Sequence, residues 1–144
     1  MKEDELRKEA LHYAVQDGDI EKVRELVASG SDPNQFDWPL SWTPLHYAAK
    51  GEYTEIAKLL LDAGADANAR DEEEIGETPL GLVAGSCSYA IARVLIDGGA
   101  DPRIPGWMGN TALTRAAKRK KAEGRRVYEL LDTAARKLDR PIGR

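Results

Sequence analysis

Thr43-Pro44-Leu45-His46-Tyr47-Ala48 carries a helix start in its first two residues. A threonine placed before the first helical residue can accept hydrogen bonds from free amides of the opening turn. Proline at the first helical position lacks only an N–H that would have had no partner. Leu45, Ala48 and Ala49 then fall at helical spacing on one face, where small alanines permit close approach and leucine fills the gap. Moving outward, the same run returns in altered form. Leu11-His12-Tyr13-Ala14-Val15 precedes it, and Leu80-Gly81-Leu82-Val83-Ala84 and Leu113-Thr114-Arg115-Ala116-Ala117 follow. The leading leucines stand 34, 35 and 33 residues apart. Thr78-Pro79 and Thr111-Ala112 repeat the helix start.

A second mark keeps the same phase. Gly30, Gly64 and Gly99 each follow a leading leucine by 19 residues, and after them come Asp32-Pro33-Asn34, Asp66-Ala67-Asn68 and Asp101-Pro102-Arg103. The pattern predicts a second helix in each unit, with Ile56, Leu59 and Leu60 on its apolar face in one and Ile91, Val94 and Leu95 in the next. Glycine readily takes the left-handed conformation that ends such a helix. Each helix pair then exposes an apolar face that only the next pair covers, so stability is collective.

Thr43-Pro44-Leu45-His46-Tyr47-Ala48 resembles the signature of the ankyrin repeat, and the period of about 33 residues agrees. Thr78-Pro79-Leu80 is a partial match and Thr111-Ala112-Leu113 a weaker one. The resemblance covers about residues 4 to 138. It implies an all-α repeat solenoid of stacked helix-turn-helix units joined by β-hairpin finger loops. We expect a single ankyrin-repeat domain over residues 1–144, with units at about 4–36, 37–70, 71–105 and 106–138. The first unit lacks the Thr-Pro start and opens with a charged helix from Asp4 to Glu9, as a cap would. In the last, Val127-Tyr128-Glu129-Leu130-Leu131 aligns with Ile56-Ala57-Lys58-Leu59-Leu60 once three extra residues are placed at 120–124. Its final helix should reach about Leu138 before Pro141 ends the order. The resemblance also implies that His46, and His12 by position, bond backbone and threonine groups between units. It further implies that a partner protein is held by the concave face and the finger loops.

The loops depart from a uniform pattern. They span residues 35–42, 69–77 and 104–110, and insertions in such loops often carry function. All three tryptophans and the only phenylalanine, Phe36, Trp38, Trp42 and Trp107, lie in the outer two, with Leu40 and Met108 beside them. Trp38 and Trp107, at loop centres, are expected to face solvent. For Trp42, directly before the Thr-Pro start, packing on the neighbouring helix and exposure both stand. Exposed aromatics are the residues most enriched at binding hot spots. The middle loop is acidic, with Asp71, Glu72, Glu73, Glu74 and Glu77, and reads either as a solvated loop or as a strip suited to a partner offering Arg or Lys. The candidate partner-binding residues are Phe36, Trp38, Leu40, Trp42, Lys50, Arg70, Glu72, Glu73, Trp107, Met108 and Arg115, with Gln16 near the same surface.

Composition narrows the function. Hydrophobic residues at 42% and charged residues at 32% suit a globular chain. Nothing approaches the roughly 20 apolar residues that cross a bilayer, and Met1-Lys2-Glu3-Asp4-Glu5 is charged where a secretory signal needs an apolar core. A cytoplasmic monomer is expected, and the single Cys87 agrees with a reducing compartment. Two histidines and one cysteine give no familiar zinc spacing, and no glycine run has phosphate-binding spacing, so no metal, cofactor or catalytic residue is expected. The net charge of −4 hides a polarity: residues 106–144 carry eleven Lys or Arg against four Asp or Glu. The run Lys118-Arg119-Lys120-Lys121 with Arg125 and Arg126 reads first as a solvated cap favoured by a helix C-terminus, then as a protein contact, and last as a nucleic-acid site. The leading functional expectation is a non-enzymatic protein-binding module. The alternative is a neutraliser or regulator of an enzyme, like an immunity protein.

Overall fold

A computed structural model describes residues 8–74 and 76–139. Along the chain come α1 (Ala10–Gln16), α2 (Ile20–Ala28), α3 (Pro44–Lys50), α4 (Thr54–Asp62), α5 (Pro79–Val83) and α6 (Tyr89–Asp97). A 3-10 turn (Trp107–Gly109), α7 (Ala112–Ala117) and α8 (Ala122–Leu138) complete it. The odd-numbered helices stack in one row, α1 on α3 on α5 on α7, and the even-numbered ones in a second, α2 on α4 on α6 on α8. The two rows enclose one continuous seam of fully buried side chains, among them Leu11, Leu45, Leu60, Leu80, Ile91, Leu95 and Leu131. Its alternation of leucine with Ala48, Ala49, Ala84 and Ala116 sets the close spacing of the rows.

The helix ends follow from local chemistry. Thr78 accepts from Gly81 N at 2.9 Å and Thr111 from Thr114 N at 3.0 Å. Thr43 does otherwise: its amide and its hydroxyl both meet His46 Nδ1, at 3.0 and 2.9 Å. Gly30, Gly64 and Gly99 have φ of 93°, 98° and 99°. At each, paired bonds close the helix, as in Ala65 N to Leu60 O (2.9 Å) with Gly64 N to Leu61 O (3.1 Å). The last helix has no such stop and runs 17 residues to Leu138, with Gly124, Val127, Leu131 and Ala135 turned inward. The expected helix Asp4 to Glu9 lies mostly outside the described residues, as does Pro141.

The expected β-hairpin fingers are not there: among the described residues no strand forms. A hairpin needs reciprocal backbone bonds across its neck. In the first loop Asp37 N donates to Trp42 O at 2.8 Å, but the return bond from Trp42 N goes to the Asp37 side chain at 2.9 Å. In the third, Gly106 N reaches Asn110 O at 2.8 Å while Asn110 N turns back to Trp107 O at 3.2 Å. Side-chain capture and tight turning replace the ladder.

Candidate functional site

Because paired helices run antiparallel, the stack has two edges, one of loops and one of helix-helix turns. The loop edge is stitched by side chains one unit apart. Asn34 donates from Nδ2 to Gly64 O (3.0 Å) and accepts from Asp66 N (2.7 Å); Asn68 repeats this with Gly99 O (3.0 Å) and Asp101 N (2.7 Å). In the next unit Arg103 takes over by pairing with Asp139 and Asp101. The bonds from Arg103 hold the Asp101 carboxyl below its usual range.

The first loop is pinned from beneath. His12 Nε2 donates to Gln35 O (2.7 Å) and Trp42 O (3.1 Å). The Tyr47 hydroxyl donates to Asp37, and Trp38 N donates to Glu9 Oε1 at 3.1 Å. Burial first, then the Asp37 bond, pushes the Tyr47 phenol well above its ordinary value. On this fixed backbone Trp38 is 83% exposed, with Leu40 and Phe36 also exposed. Trp42 is half-buried, stacked on His46 with centroids 6.1 Å apart and edge-on to Tyr47 at 5.1 Å.

The third loop is held by Glu77, whose carboxylate accepts from Trp107 N at 3.0 Å and pairs with Arg115. Above it Trp107 and Met108 stand 62% and 75% exposed. Arg70, half-buried, bridges from the middle loop to Pro105 O at 2.8 Å. Glu72, Glu73 and Glu74 project from that loop, exposed and without ion pairs among the described residues. A cleft of about 290 Å³ lies between first and second loops, walled by Phe36, Asp66, Arg70 and Glu72. Lys50 and Gln16 are exposed near the ends of α3 and α1.

The structure thus gathers Phe36, Trp38, Leu40, Trp107, Met108, Glu72 and Glu73 on one edge, and uses Arg70 and Arg115 as internal ties. Sequence reasoning missed the residues that fix the loops: Glu9, Asp37, Tyr47 and Glu77. One signal was available. Gly81 stands where His46 stands one unit earlier, and Arg115 stands 34 residues beyond it. His46 Nε2 donates to Glu77 O at 2.6 Å, whereas at the next junction Arg115 reaches Gly81 O at 2.6 Å and the Glu77 carboxylate. A Cβ on Gly81 would lie 2.9 Å from Glu77 Oε2, so the missing side chain is what admits the carboxylate.

Among the described residues no group of three or more His, Cys, Asp or Glu side chains could hold a metal ion, and no helix is long and apolar enough to cross a membrane. Cys87 is buried in the α5–α6 turn, its thiol pushed up to about 11 by burial.

Stacked helix pairs with loops fixed along one edge define a helical repeat solenoid, a class of rigid recognition scaffolds. Residues 1–71 match the family described as ankyrin repeats (3 copies). The chain contains an ankyrin-repeat domain, a general protein-interaction module. It is 34% identical over 102 residues to a putative ankyrin repeat-containing protein of Treponema pallidum (strain Nichols), covering 71% of this chain and 34% of that one. It is 42% identical over 74 residues to protein phosphatase 1 regulatory subunit 27 of Homo sapiens, covering 51% of this chain and 46% of the relative. The ARF GTPase-activating protein Git of Drosophila melanogaster is 34% identical over 134 residues, 89% of this chain and 18% of its own length. The chain thus spans less than half the length of each of these relatives.

Proposed function

We propose that this module captures a partner protein along its loop edge and the adjoining face of the α1–α3–α5–α7 row, with Trp38 and Trp107 as anchors. The observation that carries this reading is the combination of exposure above and fixation below. Large apolar rings lie in water while the backbone beneath them is tied by Glu9, His12, Asp37 and Glu77. Exposed apolar surface costs solubility and marks interaction sites. A pre-set backbone loses little entropy on binding, which leaves more of the contact energy as affinity. Phe36, Leu40, Trp42 and Met108 extend the apolar contact. Glu72 and Glu73 favour a partner that offers Arg or Lys between two apolar segments, and Lys50 adds a polar contact. Arg70 and Arg115 serve the surface by holding it. The chain acts as one domain with units at about 4–36, 37–70, 71–105 and 106–138, a monomer suited to the cytoplasm, where the buried Cys87 thiol stays reduced.

Replacing Trp38 and Trp107 by alanine should each weaken capture of the partner by about 2 kcal/mol, roughly thirtyfold. Thermal melting should hardly move. A quantitative pull-down beside a melting curve checks both, and a large fall in Tm would make the rings part of the core instead. A second reading, regulation of an enzyme by covering a basic active site, is favoured by the unpaired Glu72-Glu73-Glu74 and by the human relative's being a regulatory subunit.

A further inference from the structure

The edge opposite the loops is continuous and carries a charge gradient. The Tyr53 ring lies against Gly18, the Glu52 carboxylate accepts from Ser88 N at 3.0 Å, and Arg119 Nη1 donates to Cys87 O at 2.8 Å, so each turn touches the next. Asp17 and Asp19 stand exposed in the first turn, Glu52 in the second, Ser86 in the third beside a half-buried Ser88, and Lys118, Lys120 and Lys121 in the fourth around a half-buried Arg119. Arg125 and Arg126 follow within one turn of α8.

Arg119 is structural. Its guanidinium enters the preceding turn, and its stem lies so close to Gly124 that a Cβ there would sit 2.5 Å from Arg119 Cβ. The other five cations, Lys118, Lys120, Lys121, Arg125 and Arg126, are exposed, and among the described residues none has a carboxylate within ion-pair distance. Arg126 is held in place over the Tyr89 ring, 4.2 Å from its centroid. Glu123, the one acid in the run, turns to Tyr89 N at 3.4 Å. A helix C-terminus accounts for a cation or two in the last turn of α7. It does not account for five crowded on a fixed turn, where like charges repel and cost stability.

We propose that this turn is a docking site for a short acidic protein segment, a run of Asp and Glu side chains, distinct from the loop edge. The gradient selects the length of the ligand. A nucleic acid continuing along the edge meets Glu52, Asp19 and Asp17 and is repelled, whereas a segment of a few carboxylates ends before them. The site stands whether or not the loop edge binds a partner.

The test is fluorescence anisotropy of the full chain with labelled hexaglutamate, hexaglutamine and a single-stranded oligonucleotide of similar charge, at about 20 mM salt and upward. Hexaglutamate should bind, more weakly as salt rises; hexaglutamine should not, and the oligonucleotide should bind more weakly than hexaglutamate. The combined substitution Lys120→Glu, Lys121→Glu and Arg125→Glu should reduce hexaglutamate affinity at least about tenfold, given the Coulomb energies of close charges near a protein surface. Lys120→Gln with Lys121→Gln should give a smaller loss with an unchanged melting curve, which keeps the result readable if the reversal misfolds. Tighter binding of the oligonucleotide, no hexaglutamate binding at low salt, or binding unaffected by these substitutions would overturn the proposal. So would a loss of equal size in Trp38→Ala, which would place the peptide on the loop edge.

Discussion

His46 shows how one side chain can tie two repeats and also set a pH limit. Its ring is fully buried, accepts from Thr43 at Nδ1 and donates from Nε2 to the Glu77 carbonyl. A proton added at Nδ1 would displace both threonine bonds and charge a group shut away from water. Burial is the largest cause and, against the pull of the Glu77 carbonyl, lowers the imidazole from 6.5 to about 4. With the folded value depressed, the unfolded chain binds more protons between the two, so stability is complete above about pH 6.5 and falls as pH drops toward 4. The loss approaches about 3 kcal/mol at the lower end. An NMR titration should find this ring neutral until about pH 4, while denaturant midpoints decline through the same window. A titration near the ordinary histidine value would mean the ring is not sealed. His12, in the same place one unit earlier, lacks the threonine, because position 9 holds glutamate and Glu9 serves the Trp38 amide instead. Its Nδ1 is left without a partner among the described residues.

Between elements, the α5–α7 junction shows a different solution to the same problem. The shortest helix in the stack, α5, carries Gly81 where a histidine would reach the next unit, and the link is made in reverse by Arg115 from α7. Glu77 and Arg115 are only 17% and 22% exposed, so removing the cation strands a half-buried carboxylate and an unmatched Gly81 carbonyl. Arg115→Ala should cost about 2 kcal/mol and lower Tm by roughly 5 °C, as calorimetry can measure. Restoring the histidine by Gly81→His should destabilise as well, since its side chain would enter the space that Glu77 fills. Helices of this kind were legible in the sequence because leucine, alanine and glycine act locally, through packing period and end geometry. The loops were not, because their form depends on side chains that bond backbone across the neck. Asp37 capturing the Trp42 amide is a choice between two acceptors on one residue, and spacing carries no record of it. Exposure of Trp38 and Trp107 was legible from their central positions, whereas the burial of Arg115 required knowing what stood opposite the missing histidine.

At the scale of the whole molecule, stability comes from contacts between neighbours, so its cooperativity rests on how firmly adjacent helix pairs are joined. Here every junction is doubly made: by the leucine-alanine seam inside, and by side-chain bridges at the surface. Asn68 is the central bridge, with one bond to Gly99 O and one from Asp101 N. Asn68→Ala removes both and leaves those groups to water, a loss of about 2 kcal/mol at about 1 kcal/mol per bond. The place of that loss matters more than its size. Helical circular dichroism reports all eight described helices, while fluorescence reports the two ends, through Trp42 against His46 and Tyr47 on one side and Trp107 on the other. If the seam alone joins the units strongly enough, both signals should unfold at one midpoint in the parent chain and shift together in Asn68→Ala, as two-state behaviour requires. If the asparagine ladder is what couples the halves, the variant should show fluorescence and circular dichroism parting into separate transitions. The continuous burial from Leu11 to Leu131 favours the first outcome, since the ladder lies on exposed loops where each bond competes with water. Equilibrium urea unfolding of the two chains, followed by both signals, decides it.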